Sequence, residues 1–339
     1  HRLIGNTVWT QGSQSHDALL LAHAEGNHTF VYVYSKGVEQ GDGIGDIVSA
    51  ENVQNGQGDG QDFTSHVFWQ NFQGIMGGDL SLYEIFVDND FGTGDAVGGD
   101  FMTFGARHVG KLLGLDYRVE AYKQIGQGGY YVNASSLNNA WTVADRPATD
   151  RAGTDFDAHM FGIRVGKTFK NVTWSPTVTL WYDYLSGTDD DDIADNEWGT
   201  FHTLFDTGHK FYGLIDNYLH AVGNNSANLG LQDVAIKFKI KPRDGWVAKA
   251  DFHHFMTAVD PGSNTRVQNA VAGLSGVSDD DFGQEIDLTV AHQYNPNVKI
   301  TAGYSHYWAT QTFGDVQARA ANTGSDDADW FYVNGSVNF

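Results

Sequence analysis

The alternation of strand-like segments with turns and loops constrains the fold of this chain most strongly. Alternating apolar and polar residues, bounded by Gly, Asn and Asp, predict about fourteen strands. Most of them run to about ten to fourteen residues, whereas strands in globular proteins average about 5–6. The predicted strands lie near residues 1–11, 16–25, 28–37, 62–74, 79–89, 100–110, 113–126, 155–169, 171–186, 228–241, 245–257, 283–294, 297–310 and 328–339.

The connections between these strands alternate in length. Very short turns, such as residues 26–27 and 295–296, separate the long loops, which lie near 38–61, 127–154, 187–227, 258–282 and 311–327. In a transmembrane barrel the periplasmic turns are short, the extracellular loops are long, and the strand number is even. The pattern therefore predicts an all-β, antiparallel up-and-down transmembrane barrel that occupies residues 1–339 as a single domain.

Composition favours the same interpretation. No apolar run approaches the ~20 residues that a membrane helix needs, so a membrane-spanning form of this chain would use strands. The mean hydropathy is -0.36, yet aromatic residues make up 13% of the chain, which suits strands that alternate lipid-facing and lumen-facing residues. A soluble β-sandwich or propeller is the alternative. The strand lengths argue against both, and the blade repeat of a propeller is missing.

The segment 328–339 has the pattern of a closing strand. Its two faces separate by period two, and the apolar face carries Phe331, Val333, Val337 and Phe339. We expect this strand to face lipid on that side. We also expect Phe339 to act as a signal that the outer-membrane assembly machinery recognises.

Several segments resemble the alginate-export porin family. The stretch Gly199–Asp216, with the sequence GTFHTLFDTGHKFYGLID, is similar to a conserved loop block of that family. Residues 228–233, 245–257 and 283–288 follow in the family's order, and residues 2–6 and 14–18 are similar as well. The resemblance implies a single-chain barrel in the bacterial outer membrane, in contact with lipid and lipopolysaccharide, that passes polyanionic polysaccharide or other solutes outward. Family members have eighteen strands, so either four N-terminal strands are absent from this chain or it is a smaller relative.

Charged residues mark the face opposite the apolar one, which is the predicted lumen wall. The basic members are Arg107, Arg118, Arg164, Lys237, Lys239, Lys249 and Lys299, and the acidic members are Asp116, Glu120, Asp183, Asp233, Asp251, Glu285 and Asp287. Two interpretations remain open. The charges either pair across strands and hold the register, or they line a hydrated path whose basic residues attract anions and select among solutes.

The longest connection, 187–227, is the candidate constriction. Loops above about 12–15 residues are uncommon and tend to be functional. Its second half is rich in aromatic and apolar residues, which are unfavourable in water, so we expect it to pack in the barrel mouth. The predicted constriction residues are Phe201, His209, Lys210, Tyr212 and Asp216. The alternative is that this half folds over the rim or caps a neighbouring subunit.

The chain is strongly acidic, with a formal net charge of -22, and the excess is concentrated in the predicted outer loops. An acidic rim disfavours nucleic acid as a partner. The run Asp189, Asp190, Asp191 and Asp192 is a weak candidate for calcium, because Ca²⁺ takes 6–8 oxygen ligands. A solvated charge run without metal is the competing interpretation, and no other cofactor is expected.

Enzymatic motifs are missing. The chain has no Gly-x-Ser-x-Gly nucleophile elbow, and His253 and His254 point to opposite faces of one strand and cannot share an ion. We therefore expect a porin or exporter without catalytic activity, which passes small hydrophilic solutes, anionic ones included, or polysaccharide. Two alternatives stay open: a barrel that serves as a scaffold or sheath for a partner protein, and an outer-membrane enzyme active at its rim.

Overall fold

A computed structural model describes residues 2–4, 17–36, 63–89, 100–127, 155–195, 197–204, 209, 211–218, 226, 228–263, 279–317 and 326–338. The first eight strands are β1 (Ala18–Glu25), β2 (His28–Lys36), β3 (Phe63–Ile75), β4 (Gly78–Asn89), β5 (Phe101–Leu112), β6 (Leu115–Gln127), β7 (Asp155–Thr168) and β8 (Thr177–Leu185). The others are β9 (Glu197–Trp198), β10 (Leu231–Ile240), β11 (Trp246–Met256), β12 (Asp281–Asn295), β13 (Val298–Ala309) and β14 (Ala328–Val337).

Within the described ranges, all fourteen strands belong to one sheet. Strands β1 to β8 and β10 to β14 pair in chain order, each antiparallel to its neighbours. The two-residue strand β9 lies off this path and pairs in parallel with the start of β7. Strands β1 and β14 form the two ends of the sheet, and no pairing joins them in the part of the chain described. The antiparallel up-and-down order predicted from the loop lengths is confirmed.

The described ranges contain two short helices, α1 (Asp190–Asp195) and α2 (Gln311–Gln317), and one 3₁₀ turn at Pro261–Ser263, all in the predicted loops. Among the described residues, no helix has the length and apolar character needed to cross a membrane. The predicted loop 38–61 and nearly all of 127–154 lie outside the described residues.

Two of the short turns show why the strands reverse where they do. Met76 and Gly77 join β3 to β4, and Leu113 and Gly114 join β5 to β6. All four residues have positive φ, between 50° and 76°. Two successive positive φ values define a type I′ turn, whose twist matches that of paired strands. Glycine at the second position makes this conformation accessible at each turn.

The strand predicted at 1–11 is not among the fourteen described strands. The predicted and observed totals agree only because the short strand β9 was not predicted. Arg2 and Leu3 are buried outside any strand, and Ile4 forms only an isolated bridge, whereas residues 5–11 lie outside the described residues. The physical reason lies in Arg2, whose guanidinium is held by two carboxylates inside the sheet. The alternating sequence pattern cannot show such a contact, because it depends on residues far along the chain.

The strand predicted at 171–186 begins later than expected, at Thr177. The N–H of Phe169 donates to the carbonyl of Pro176 at 2.8 Å and closes an extended turn. Trp174 and Ser175 within it have φ values of 68° and 46°, which a strand cannot accommodate. Pro176 has no N–H to give to a sheet ladder, so pairing starts after it.

The two faces of the sheet have different chemistry. Along β10, Val234 and Ile236 are 45% and 46% exposed, whereas Asp233 and Ala235, which alternate with them, are buried. Large apolar side chains recur on the exposed face of other strands, among them Phe104, Phe161, Leu180, Leu288, Val290, Ile300, Trp308 and Phe331. An apolar outer face beside a polar inner face is the pattern of a lipid-facing barrel wall.

Candidate functional site

The second half of the long loop lies against the inner face of the sheet. We call residues 199–218 the inward loop, of which 199–204, 209 and 211–218 are described. The Gln124 side chain on β6 exchanges two hydrogen bonds with the backbone of His202, both 2.8 Å long. Tyr218 meets Tyr307 on β13, with their hydroxyl oxygens 3.0 Å apart. Because β6 and β13 are distant in the strand order, the sheet must curve around this loop.

Glu285 on β12 fastens the middle of the inward loop. Its Oε1 accepts the backbone N–H groups of Leu214 at 2.7 Å and Ile215 at 2.9 Å. Gly213, next to this contact, has a φ of +83°, and a Cβ there would collide with the Glu285 carboxylate. A glycine is therefore needed both for the backbone conformation and for the close approach. The carboxylate satisfies two backbone donors that would otherwise be buried without an acceptor.

Arg2 joins the inward loop to the opposite wall. Its guanidinium donates to Glu120 at 2.8 and 3.1 Å and to the Tyr212 hydroxyl at 2.6 Å, and it lies 2.8 Å from Asp183. The same group lies over the Phe211 ring, 4.3 Å from its centroid. Burial opposes the charge of Arg2, but Asp183 and then Tyr212 and Glu120 hold its pKa well above the usual value. Arg2 therefore stays charged, fully enclosed by acceptors.

Two further guanidinium groups surround the same carboxylates. Arg118 is 2.7 Å from Glu120, and Arg164 is 3.5 Å from Glu120 and 3.7 Å from Asp183. Arg164 also lies over the Trp181 ring, 3.2 Å from its centroid. Cation–π contact and ion pairing fix the guanidinium planes. This group of residues is thus an ion-pair network between β6, β7 and β8, in which three guanidinium groups share two carboxylates.

The acidic residues on β10 to β12 have polar partners as well. Asp233 accepts from His253 Nδ1 at 2.9 Å, and Asp251 is 3.3 Å from Lys237. Asp287 accepts a 2.5 Å hydrogen bond from the Ser305 hydroxyl. Together with Glu120, Asp183 and Glu285, every acidic residue predicted for the inner wall beyond the rim has a polar partner.

Several basic residues of the predicted wall lack such partners. Lys239 and Lys249 are directly opposed in the register of β10 and β11, and neither forms an ion pair with another described residue. Arg107 on β5 likewise forms no ion pair within the described ranges. Lys299 is exposed near a turn, and Asp116 is exposed at a turn, 2.8 Å from Lys111. The predicted set thus divides into residues of the bonded networks, rim residues and basic groups without an ion-pair partner among the described residues.

The predicted constriction residues fall in the inward loop. Phe201 and Tyr212 are almost fully buried, and His209 Nδ1 is 2.8 Å from Asp216. Lys210 lies outside the described residues. The sequence interpretation missed Arg2 and Gln124, which anchor the loop. Gln124 shares the inward parity of Glu120, which could have identified it, whereas Arg2 was covered only by the family resemblance of residues 2–6, which assigned it no role.

The acidic run at 189–192 forms the start of α1. Asp189 Oδ1 accepts the N–H of Asp192 at 2.9 Å, and Asp192 Oδ2 accepts the N–H of Asp189 at 3.0 Å. This reciprocal pattern is a helix cap of the kind that satisfies exposed N–H groups. Among the described residues, no group of three or more His, Cys, Asp or Glu is arranged to hold a metal ion.

Both the sequence and the fold are similar to those of known proteins. The sequence matches the Alginate export family over residues 48–325. No curated protein matches it. The solved structure of OccD3 (OpdP) from Pseudomonas aeruginosa is similar at 10% identity and a TM-score of 0.47, over 96% of this chain and 69% of that one. OmpT, an outer membrane protein of Vibrio cholerae, is similar at 11% identity and a TM-score of 0.36, over 94% of each chain. The family match spans most of the chain, which therefore belongs to the alginate export family and is a β-barrel channel or exporter of the bacterial outer membrane.

Proposed function

We propose that this channel passes hydrophilic anionic solutes through a lumen that the inward loop narrows. The observation that supports this proposal is a difference between the acidic and the basic residues of the inner wall. Its acidic residues beyond the rim all have polar partners, whereas Lys239, Lys249 and Arg107 form no ion pair with other described residues. Three basic groups on the inner wall are therefore without a carboxylate partner in the described part of the chain, and in this proposal they act on a passing anion.

The position of the two lysines strengthens this argument. Like charges directly opposite each other on neighbouring strands are destabilising. Lys239 and Lys249 occupy such a position, one residue pair from the end of the paired segment of β10 and β11. A mobile anion between them would relieve the repulsion, so we infer that anions enter the wall region here. Screening at physiological salt limits this attraction to about 8–10 Å.

In this proposal the chain is a passive conduit, without catalytic activity or a cofactor. The solute can be a small anion or a polyanionic polysaccharide, and insertion depends on the outer-membrane assembly machinery. A scaffold or sheath protein of the same fold would not conduct when isolated, whereas a channel conducts alone. A rim-active enzyme would turn over a lipid or peptide substrate without any need for an open lumen.

Single-channel recording in a salt gradient tests the proposal. The wild-type protein should conduct with a reversal potential of anion-selective sign. The double variant Lys239→Gln/Lys249→Gln should move that potential toward zero or to the cation-selective sign. Lys123→Gln, on the outer face of β6, is the matched control and should leave the potential unchanged. A conducting double variant with wild-type selectivity would refute the role of the two lysines, and a protein that does not conduct at all would refute the channel.

A further inference from the structure

Two turns on the short-turn side of the sheet are held against each other. One turn joins β7 to β8 and the other joins β10 to β11, and β8 and β10 are neighbours in the sheet. The backbone N–H of Lys241 in the second turn donates to the carbonyl of Trp174 in the first at 2.8 Å. Because the short turns of outer-membrane barrels face the periplasm, this contact lies at the periplasmic rim.

Each of the two turns pairs a cation with an aromatic ring. The Lys167 ammonium lies 5.6 Å from the centroid of the Phe169 ring, and the Arg243 guanidinium lies 5.7 Å from the centroid of the Trp246 ring. Along their strands, Lys167 and Trp246 have the parity of the exposed apolar residues. Both pairs therefore border the outer, lipid-facing side of the rim.

The turn between β7 and β8 also keeps a tryptophan exposed. Trp174 is 54% exposed, and its φ of 68° is one that bulky residues rarely adopt. The hydrogen bond from Lys241 holds the backbone in this conformation. Tryptophan side chains favour the boundary between hydrocarbon and water, where barrels carry their aromatic girdles. An exposed indole at this rim therefore has the position of a membrane-interface residue.

The charge at these turns is opposite to that of the whole chain. The ranges 167–176 and 240–246 contain one acidic residue, Asp244, whereas the chain as a whole carries a formal net charge of -22. Four exposed basic residues lie in the same ranges, and none of them forms an ion pair with another described residue: Lys167, Lys170, Lys241 and Arg243. By contrast, Lys111 in the turn between β5 and β6 lies 2.8 Å from Asp116. We call the four basic residues, with the aromatic rings beside them, the turn patch.

We propose that the turn patch binds an anionic phospholipid of the periplasmic leaflet. The phosphate lies among the four basic groups, and the acyl chains run along the exposed aromatic rings and the apolar outer face of the sheet. Such a lipid supplies a negative charge at the level of the rim and hydrocarbon beside the strands. Clusters of Lys and Arg next to a membrane-spanning segment are a usual form of anionic-lipid site, in which each basic group contributes about fivefold. This inference does not depend on which solute the lumen passes.

Native mass spectrometry of the purified full chain in detergent measures the binding. The probes are phosphatidylglycerol, phosphatidylcholine with the same acyl chains, and glycerol phosphate, which has the charge without the chains. Phosphatidylglycerol should bind at least about tenfold more tightly than either of the others. Equal binding of the two lipids would overturn the proposal. Displacement of phosphatidylglycerol by an equal concentration of glycerol phosphate would overturn it too, because the site would then take a phosphate without a lipid.

The double variant Lys167→Gln/Arg243→Gln tests the basic groups. It should weaken phosphatidylglycerol binding about 30-fold, since two contributions of about fivefold multiply, and leave phosphatidylcholine binding unchanged. Lys167→Arg/Arg243→Lys keeps both charges and should bind like the wild type. Lys111→Gln removes a charge from the same rim outside the turn patch and is the matched control. Wild-type affinity in the Gln double variant, or an equal loss in Lys111→Gln, would overturn the proposal.

A third variant tests the aromatic part, and spectroscopy separates binding from folding. Trp174→Asn accommodates the positive φ, and it should weaken both lipids by a similar factor while the preference for phosphatidylglycerol remains. Unchanged affinity for both lipids would overturn the placement of the acyl chains. The side chains of Lys167 and Arg243 form no hydrogen bond or ion pair with other described residues, so the circular dichroism spectrum and the thermal midpoint of their variants should match those of the wild type.

Discussion

Removal of the Glu285 carboxylate should release the middle of the inward loop. In the Glu285→Ala variant, the N–H groups of Leu214 and Ile215 lose the only acceptor that the structure shows for them. A buried donor left without an acceptor costs about 1–3 kcal/mol, so two donors amount to about 2–6 kcal/mol. Since about 1.4 kcal/mol is a factor of ten, the equilibrium between the attached and detached loop should shift by a factor between about 30 and about 2 × 10⁴.

Single-channel recording measures the consequence directly. A loop that detaches from β12 no longer narrows the lumen, so we expect Glu285→Ala to show larger mean conductance and frequent transitions between levels. The contacts of Gln124 with His202 and of Tyr218 with Tyr307 remain, so the loop should fluctuate around these anchors without unfolding completely. Hydrogen exchange should show faster exchange of the two released N–H groups.

The matched control is Glu285→Gln. Its amide oxygen can still accept both N–H groups, so its conductance should stay close to that of the wild type. Wild-type conductance and wild-type exchange in Glu285→Ala would contradict the reasoning, because they would show that this contact does not hold the loop. Equal increases in both variants would show that charge, and not acceptance of the two hydrogen bonds, is what matters.

Three further outcomes are expected. A cysteine in place of Lys237 should react with a water-soluble thiol reagent and alter conductance, whereas a cysteine in place of Ile236 should react only with a lipid-phase reagent; the opposite labelling would reverse the two faces. Gly105→Leu should lower the free energy of unfolding by about 1–3 kcal/mol through its collision with Tyr122, and chemical denaturation in lipid vesicles measures this, with an unchanged midpoint as the contrary result. Asp189→Ala should remove a helix cap worth about 0.5–2 kcal/mol and speed hydrogen exchange in α1 while conductance stays the same; unchanged exchange would show that the cap does not hold the helix.

The strand pattern and the two chemical faces of the sheet follow from the sequence. The alternation in Val234, Ala235 and Ile236 places a small residue inward between two apolar residues that face outward. Each such assignment depends only on the period of two along a strand and on nearby turn residues, and both are local properties. One exception was local: positive φ at Trp174 and Ser175 delayed β8, and these side chains show no preference that would predict it. The other, at residues 1–11, depends on the distant partners of Arg2.

The site depended on contacts that no local pattern contains. Arg2 and Glu120 are 118 residues apart, and Gln124 and His202 are 78 apart, so each contact forms only when the sheet has its full register and curvature. The sequence identified the charged face and the long aromatic loop. The tertiary structure decided which charges compensate each other, which basic groups stay uncompensated, and where the inward loop is fastened. Whether two charges pair depends on the distance between them in space, and that distance is set only when the whole sheet has folded.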